Sequence, residues 1–240
     1  MKILGKFFLA ILTSVSTTGT VVFFWDDIVI FFKGKRVAIF GAIETGKTTL
    51  HKYLREGELV NEHIATRRVK DVIKNRFKLK ELELDIKPGT DISGQQDFVK
   101  EWKEIFRESD ICIYMFDASK VYAGDEDHIE KINFHLTHID KWRTEFKSMP
   151  YVILIGGFAD KILEYKNSNK SNVQEFEQKI REKIKNACRQ ASVSPSDIFI
   201  GSLETKESIE KLVYEVLLQI SKNKKLSFKK VFSKIFKKTV

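Results

Sequence analysis

The chain has 240 residues, of which 42% are hydrophobic and two are cysteine; this allows one substantial core plus appendages and excludes a disulfide framework. Its formal net charge is +9, but residues 222–240 hold eight lysines and no acid, which leaves the rest of the chain close to neutral. A nucleic-acid-binding domain spreads its basic charge over the folded surface, so DNA and RNA are set aside as partners. Cys112 and Cys188 lie in apolar or helical stretches with no metal-ligand neighbours, which points to a reducing compartment.

The first element is an uncharged run of 19 residues from Phe7 to Trp25, bounded by Lys6 and by Asp26 and Asp27. As a helix rising about 1.5 Å per residue it covers roughly 28 Å, close to the thickness of a bilayer's hydrocarbon core. The hydroxyl-rich middle, Thr13 to Thr20, is tolerable because Ser and Thr can bond carbonyls of their own helix. The expectation is a transmembrane helix within an anchor and juxtamembrane segment, residues 1–32. A cleaved signal peptide and a helix lying flat at the interface are the competing readings. Lys2 and Lys6 on one side balance Lys33, Lys35 and Arg36 on the other, so charge does not set orientation. If the next domain binds a cytosolic nucleotide, it faces the cytoplasm.

Lys35 to Phe40 read as a buried strand, Gly41 to Thr48 fit G-x-x-x-x-G-K-[ST], and the following run has helical character. Gly41 and Gly46 let the backbone curl until the amides of Glu44, Thr45, Gly46, Lys47 and Thr48 point inward, and the helix start adds partial positive charge. Lys47 is expected to neutralise terminal phosphates and the Thr48 hydroxyl to ligate magnesium, with Thr49 beside them in the nucleotide-binding set.

Downstream, "TDISGQQDFVKEWKEIF" supplies D-x-x-G as Asp91 to Gly94, followed at once by Gln95. An apolar strand, "ICIYMFDAS", is predicted over residues 111–119. In this order the motifs resemble those of the Ras-like small GTPases, in particular the Arf-like branch and the membrane-anchored beta subunit of the signal recognition particle receptor. The resemblance implies an α/β fold: a three-layer P-loop NTPase domain over residues 33–221 with a mainly parallel central sheet, taking GTP or GDP with Mg2+. It also implies roles: Asp91 holds magnesium through water, the Gly94 amide senses the gamma-phosphate, and Gln95 orients the attacking water. Thr66, in "EHIATRRVKD", is the candidate first-switch threonine on magnesium. Arg67 and Arg68 are open to two readings, fingers in cis on phosphate charge or solvated switch residues. Pro88 and Gly89 depart from the family, which keeps a strand running into the aspartate; proline removes a ladder donor, so this strand is expected to end early or bulge.

"YVILIGGFADK", Tyr151 to Lys161, is an apolar strand ending in a loop where the family has N-K-x-D. Asp160 keeps the aspartate, whose carboxylate accepts from both the ring N1 and the exocyclic amine of guanine, a donor pair that adenine lacks. Phe158 stands at the lysine position, where an aromatic ring can stack on the base. Gly157 stands at the asparagine position and cannot supply that residue's tether to the phosphate loop. The strand, loop and amphipathic helix of "IFIGSLETKESIEKLVYEVLLQI" look like the S-A-K region, with Ser202 and Leu203 at its first two positions and Glu204 departing from lysine. His135 and His138 lie in a helical run without further converging ligands, so a metal site is not expected there. Trp102 and Trp142 read as packing or partner-facing residues.

In the tail, residues 222–240, Phe228, Val231, Phe232, Ile235 and Phe236 recur at helical spacing among lysines. A helix on an anionic membrane surface is expected, with a solvated lysine run and a protein-binding face as alternatives. Together these features suggest a membrane-anchored GTP/GDP switch with slow hydrolysis that recruits a protein partner through its switch regions. A pseudo-GTPase scaffold with weak or constitutive nucleotide binding is the alternative, and an ATP-dependent kinase or ATPase is disfavoured by Asp160.

Overall fold

The computed structural model describes residues 32–56, 85–88, 95–146, 150–166 and 170–236. The expected span Phe7–Trp25, the switch candidates Thr66, Asp91 and Gly94, and the adjacent Arg67, Arg68 and Gly89 lie outside them. In chain order the elements are β1 (Arg36–Gly41), α1 (Lys47–Glu56), β2 (Asp85–Pro88), α2 (Gln95–Glu108), β3 (Ile111–Asp117), α3 (Ala118–Ala123), α4 (Glu126–Glu145), β4 (Tyr151–Gly157), the short α5 (Leu163–Lys166), α6 (Lys170–Lys183), α7 (Lys185–Gln190), β5 (Ile198–Ile200) and α8 (Lys206–Phe236).

The strands form one parallel sheet in the order β2-β1-β3-β4-β5. β3 is buried at every residue and β1 and β4 at all but their first, as expected where helices cover both faces. Successive side chains alternate between those faces. Phe40, Tyr114 and Phe116 join Trp102, Phe106, Ile132 and Leu136 under α2 and α4. Ile39, Ile113 and Met115 join Leu50 and Tyr53 of α1 and Leu212 and Val216 of α8 on the other side. The result is three layers, helix, sheet and helix, with β1 and β3 at the centre. The chain leaves β1 for β2 on one side and returns to β3 on the other, and that reversal opens a crevice at the carboxyl ends of these two strands.

One strand boundary has a local cause. The strand expected over residues 111–119 stops at Asp117, because the Asp117 carboxylate accepts the backbone N–H groups of Ser119 and Lys120 and starts α3. Pro88 is still in register beside Ile39 of β1, and the early end or bulge expected after it falls outside the described residues.

α8 is 31 residues long and runs unbroken across the domain boundary expected at residues 221 and 222, for about 46 Å. Its buried positions, Ile209, Leu212, Val213, Val216, Leu217 and Ile220, follow helical spacing against the sheet. Among the described residues, no helix is long and apolar enough to cross a membrane.

Candidate nucleotide site

The loop between β1 and α1 is held in its curl by its own groups. Gly41 and Gly46 have φ of 150° and 87°, and Glu44 takes a left-handed φ of 60°. Gly41 passes so close to β3 that a Cβ built on it would stand 2.2 Å from the Met115 carbonyl oxygen. The Thr45 hydroxyl donates to the Ala42 carbonyl at 2.9 Å, and the Lys47 ammonium donates to the same carbonyl at 2.6 Å. Thr45 and Lys47 are only 1% and 5% exposed, so the lysine is laid inward over the loop. Thr48 and Thr49 occupy the first turn of α1, where unpaired helix N–H groups and the macrodipole favour an anion.

The second half of the site sits at the ends of β4 and β5. The Gly201 N–H donates to the Gly156 carbonyl at 2.9 Å and the Ala159 N–H donates to the Gly201 carbonyl at 3.2 Å, which laces the two loops together. Phe158 takes a left-handed φ of 60°, and a 3-10 turn, Ala159–Lys161, follows it. Asp160 rides on that turn. Its Oδ1 is buried and has no hydrogen-bond partner among the described residues, a costly arrangement for a carboxylate that nothing meets. On the β5 side, the Ser202 hydroxyl accepts the Glu204 N–H at 3.0 Å, Glu204 faces solvent, and Leu203 is buried.

The phosphate loop and the loops after β4 and β5 therefore converge. A Cβ built on Gly157 would lie 3.4 Å from the Thr45 carbonyl oxygen, and one built on Gly46 would meet Leu203 Cδ1 at 2.7 Å. Gly41, Glu44, Thr45, Gly46, Lys47, Thr48 and Thr49 thus lie along one side of the crevice, with Phe158, Asp160, Ser202 and Leu203 in the loops that meet it. Gln95 opens α2. Of the three expected magnesium ligands only Thr48 is among the described residues; Thr66 and Asp91 lie outside them.

Several neighbours of the site were not legible in the sequence. The Lys161 ammonium lies 3.9 Å from the Phe158 ring centroid, a cation–π contact created by the 3-10 turn. His128 accepts the Asp117 N–H on Nε2 at 3.0 Å, where burial, ahead of nearby lysines, holds its pKa below the ordinary histidine value. His135 and His138, instead of converging on a metal, make ring contacts with Trp102 and Trp142 respectively. Burial raises the Cys112 thiol and pushes Cys188 up to about 12, so both are inert packing groups.

An open parallel sheet with a glycine-bounded phosphate loop at its carboxyl edge, and an aspartate-bearing loop beside it, defines the P-loop class of α/β proteins. Within that class the model of the ADP-ribosylation factor (Arf) family matches residues 25–216, most of the chain, and the protein belongs to this family. No curated protein matches its sequence. Among solved structures it is similar to the Arf-like GTP-binding protein, small COPII coat GTPase SAR1, of Encephalitozoon cuniculi in complex with GDP. The identity is 12% and the TM-score 0.49, with 84% of this chain and 87% of that one covered. It is also similar to a GTP-binding protein of Sulfolobus solfataricus in complex with GDP, at 17% identity and a TM-score of 0.49, with 81% of this chain and 54% of that one covered.

Proposed function

We propose that this Arf-family protein is a guanine-nucleotide switch held at a membrane surface, which recruits a protein partner when GTP is bound and hydrolyses GTP slowly. One observation carries the nucleotide reading: in the loop beside the phosphate loop the Asp160 Oδ1 is buried and has no hydrogen-bond partner among the described residues. A carboxylate so placed is stabilised by a ligand that brings two adjacent N–H donors, as guanine does and adenine does not. On this reading Lys47 leaves the Ala42 carbonyl to meet terminal phosphates, the amides of residues 44–48 cradle them, and Phe158 covers one face of the base. Thr48, Thr66 and Asp91 would hold Mg2+, whose charge offsets that of the phosphates. Gln95 would orient the attacking water, next to the Gly94 amide. Membrane attachment rests on the uncharged run Phe7–Trp25 and on the lysine-rich tail, with the nucleotide domain facing the cytoplasm.

A second reading, a scaffold that binds nucleotide weakly or constitutively, draws on Gly157, which offers no side chain to the Thr45 carbonyl. Equilibrium binding of GTP, GDP and ATP to the full chain in detergent with magnesium separates the two. A guanine preference that Asp160→Asn removes, and binding that Lys47→Ala weakens, support the switch. Equal or absent binding of all three nucleotides overturns it.

A further inference from the structure

Gly46 and Gly157 both border the Leu203 side chain, which takes the place a Cβ on Gly46 would occupy and lies at ordinary contact distance from one on Gly157. Leu203 Cδ1 would stand 2.7 Å from a Cβ on Gly46 and 3.7 Å from a Cβ on Gly157, and Met115 Cε would lie 3.6 Å from the former. Leu203 is 7% exposed and packs in the same core as Met115 and Leu212. Gly46 could not carry any side chain without displacing the leucine; its missing Cβ is what lets an isobutyl group rest directly on phosphate-loop backbone. Leu203 follows Gly201 by two residues, and Gly201 exchanges backbone hydrogen bonds with Gly156 and Ala159, immediately ahead of Asp160. A continuous path of contacts thus runs from the phosphate loop at Gly46, through the Leu203 side chain, to the turn that carries Asp160.

We propose that Leu203 is a positioning residue: an apolar strut that couples the phosphate loop to the base-reading loop and sets how long a bound nucleotide stays. The proposal rests on the nucleotide-site reading above and deepens it. The physical logic is a trade of one contact for another. A side chain at position 157 able to donate to the Thr45 carbonyl, 3.4 Å from the Cβ position, would fasten the two loops by a hydrogen bond. This chain has no side chain there and packs hydrocarbon beside that position, a contact that is non-directional and close-packed rather than polar. The two fasteners would tie the same pair of loops, so their effects are not expected to add.

The test is a double-mutant cycle on full-length protein in detergent, reading the release rate of a fluorescent GDP analogue chased with excess GDP. Leu203→Ala is expected to speed release about tenfold, since affinity changes of this kind fall mainly on dissociation. Leu203→Met, which refills the space, should release within about twofold of wild type. Gly157→Asn should slow release little when Leu203 is present, where the loops are already fastened, and more when Leu203 is alanine and the amide is the remaining tie to Thr45. That dependence on the background is the signature of the strut. Thermal unfolding of each variant without nucleotide separates lost coupling from lost fold. Leu203→Ala releasing at the wild-type rate, or Gly157→Asn slowing release by the same factor in both backgrounds, would overturn the strut while leaving the nucleotide reading intact. Failure of the wild type to bind the analogue would overturn both.

Discussion

The Tyr114 hydroxyl lies 2.9 Å from Nδ1 of His135, joining the central strand β3 to helix α4. Around that ring stand Trp102 of α2, with centroids 5.1 Å apart, Phe134 of α4, and the positive or titratable groups His138, Lys47, His128 and Lys131. Burial first, and then these neighbours, hold the His135 pKa down to about 4. His135 is therefore neutral in the folded protein where an unfolded histidine would already take a proton. The contribution is complete above about pH 6.5 and is lost as pH falls from there towards 4, up to ~3 kcal/mol in all. Urea unfolding at pH 7.5 and pH 5.0 should show this loss, and His135→Gln should flatten the profile between those values. Some slope will remain, because His128 and His138 are shifted in the same direction. A profile unchanged by the substitution would assign the acid sensitivity elsewhere.

Gly41 and Gly157 make a matched pair for testing how tightly the phosphate loop is seated. An alanine Cβ at position 41 would meet backbone, the Met115 carbonyl oxygen at 2.2 Å, and backbone cannot swing away as a side chain can. At position 157 the nearest contacts are ordinary, 3.4 Å to Thr45 and 3.7 Å to Leu203. Gly41→Ala should destabilise the domain by ~3 kcal/mol or more, and Gly157→Ala by under ~1 kcal/mol. Denaturant midpoints of the two proteins check this directly, and equal losses would show that the loop relaxes freely.

How much of this could be read in advance depended on whether the signal was local. Gly41, Gly46 and Lys47 declare the phosphate loop by spacing alone, and the strand residues 151–157 end where their apolar run ends. The strand expected over residues 111–119 overran, because Ala118 and Ser119 do not interrupt the pattern. What stops it is the Asp117 side chain bonding forward to Ser119 and Lys120, a cap that competes with strand continuation. Leu203 could be placed by its motif position, yet its contact with Gly46 joins positions more than 150 residues apart and has no sequence signature. That position 157 faces the phosphate loop follows from the asparagine that its motif normally holds there, while the Thr45 carbonyl it meets has no cue of its own. Lys161 reaches the Phe158 ring through the 3-10 turn after β4, which the apolar run does not announce.

Phe158 combines a left-handed φ of 60° with a bulky side chain, an arrangement that costs ~1–2 kcal/mol. Glycine there would relieve that strain but would give up the Lys161 contact, worth ~0.5–1 kcal/mol, and would add backbone freedom to the unfolded chain. These terms nearly cancel, so Phe158→Gly should unfold within about 1 kcal/mol of wild type. Nucleotide affinity should fall about tenfold if the ring covers the base. Calorimetric unfolding without nucleotide and titration with GDP give the two numbers. A large stability loss with unchanged affinity would make Phe158 a structural residue.

The tail offers a test that needs no folded domain, because its expected behaviour is encoded in composition. Residues 222–240 carry eight lysines and no acid, with Phe228, Val231, Phe232, Ile235 and Phe236 at helical spacing, and α8 is already helical as far as Phe236. Each lysine near an anionic leaflet contributes ~1 kcal/mol, and that attraction decays over a Debye length of about 8 Å at physiological salt. A peptide of residues 222–240 should therefore bind vesicles containing phosphatidylserine and gain helix on binding, and should release as salt is raised. Pure phosphatidylcholine vesicles should hold it weakly, through the apolar positions alone. Replacing Lys229, Lys230, Lys234, Lys237 and Lys238 with glutamine should cut the anionic preference sharply, with Lys222, Lys224 and Lys225 keeping a remainder, while leaving that residual binding. Equal binding to both vesicles would assign the membrane contact to the phenylalanines, and no binding to either would return the tail to a solvated lysine run.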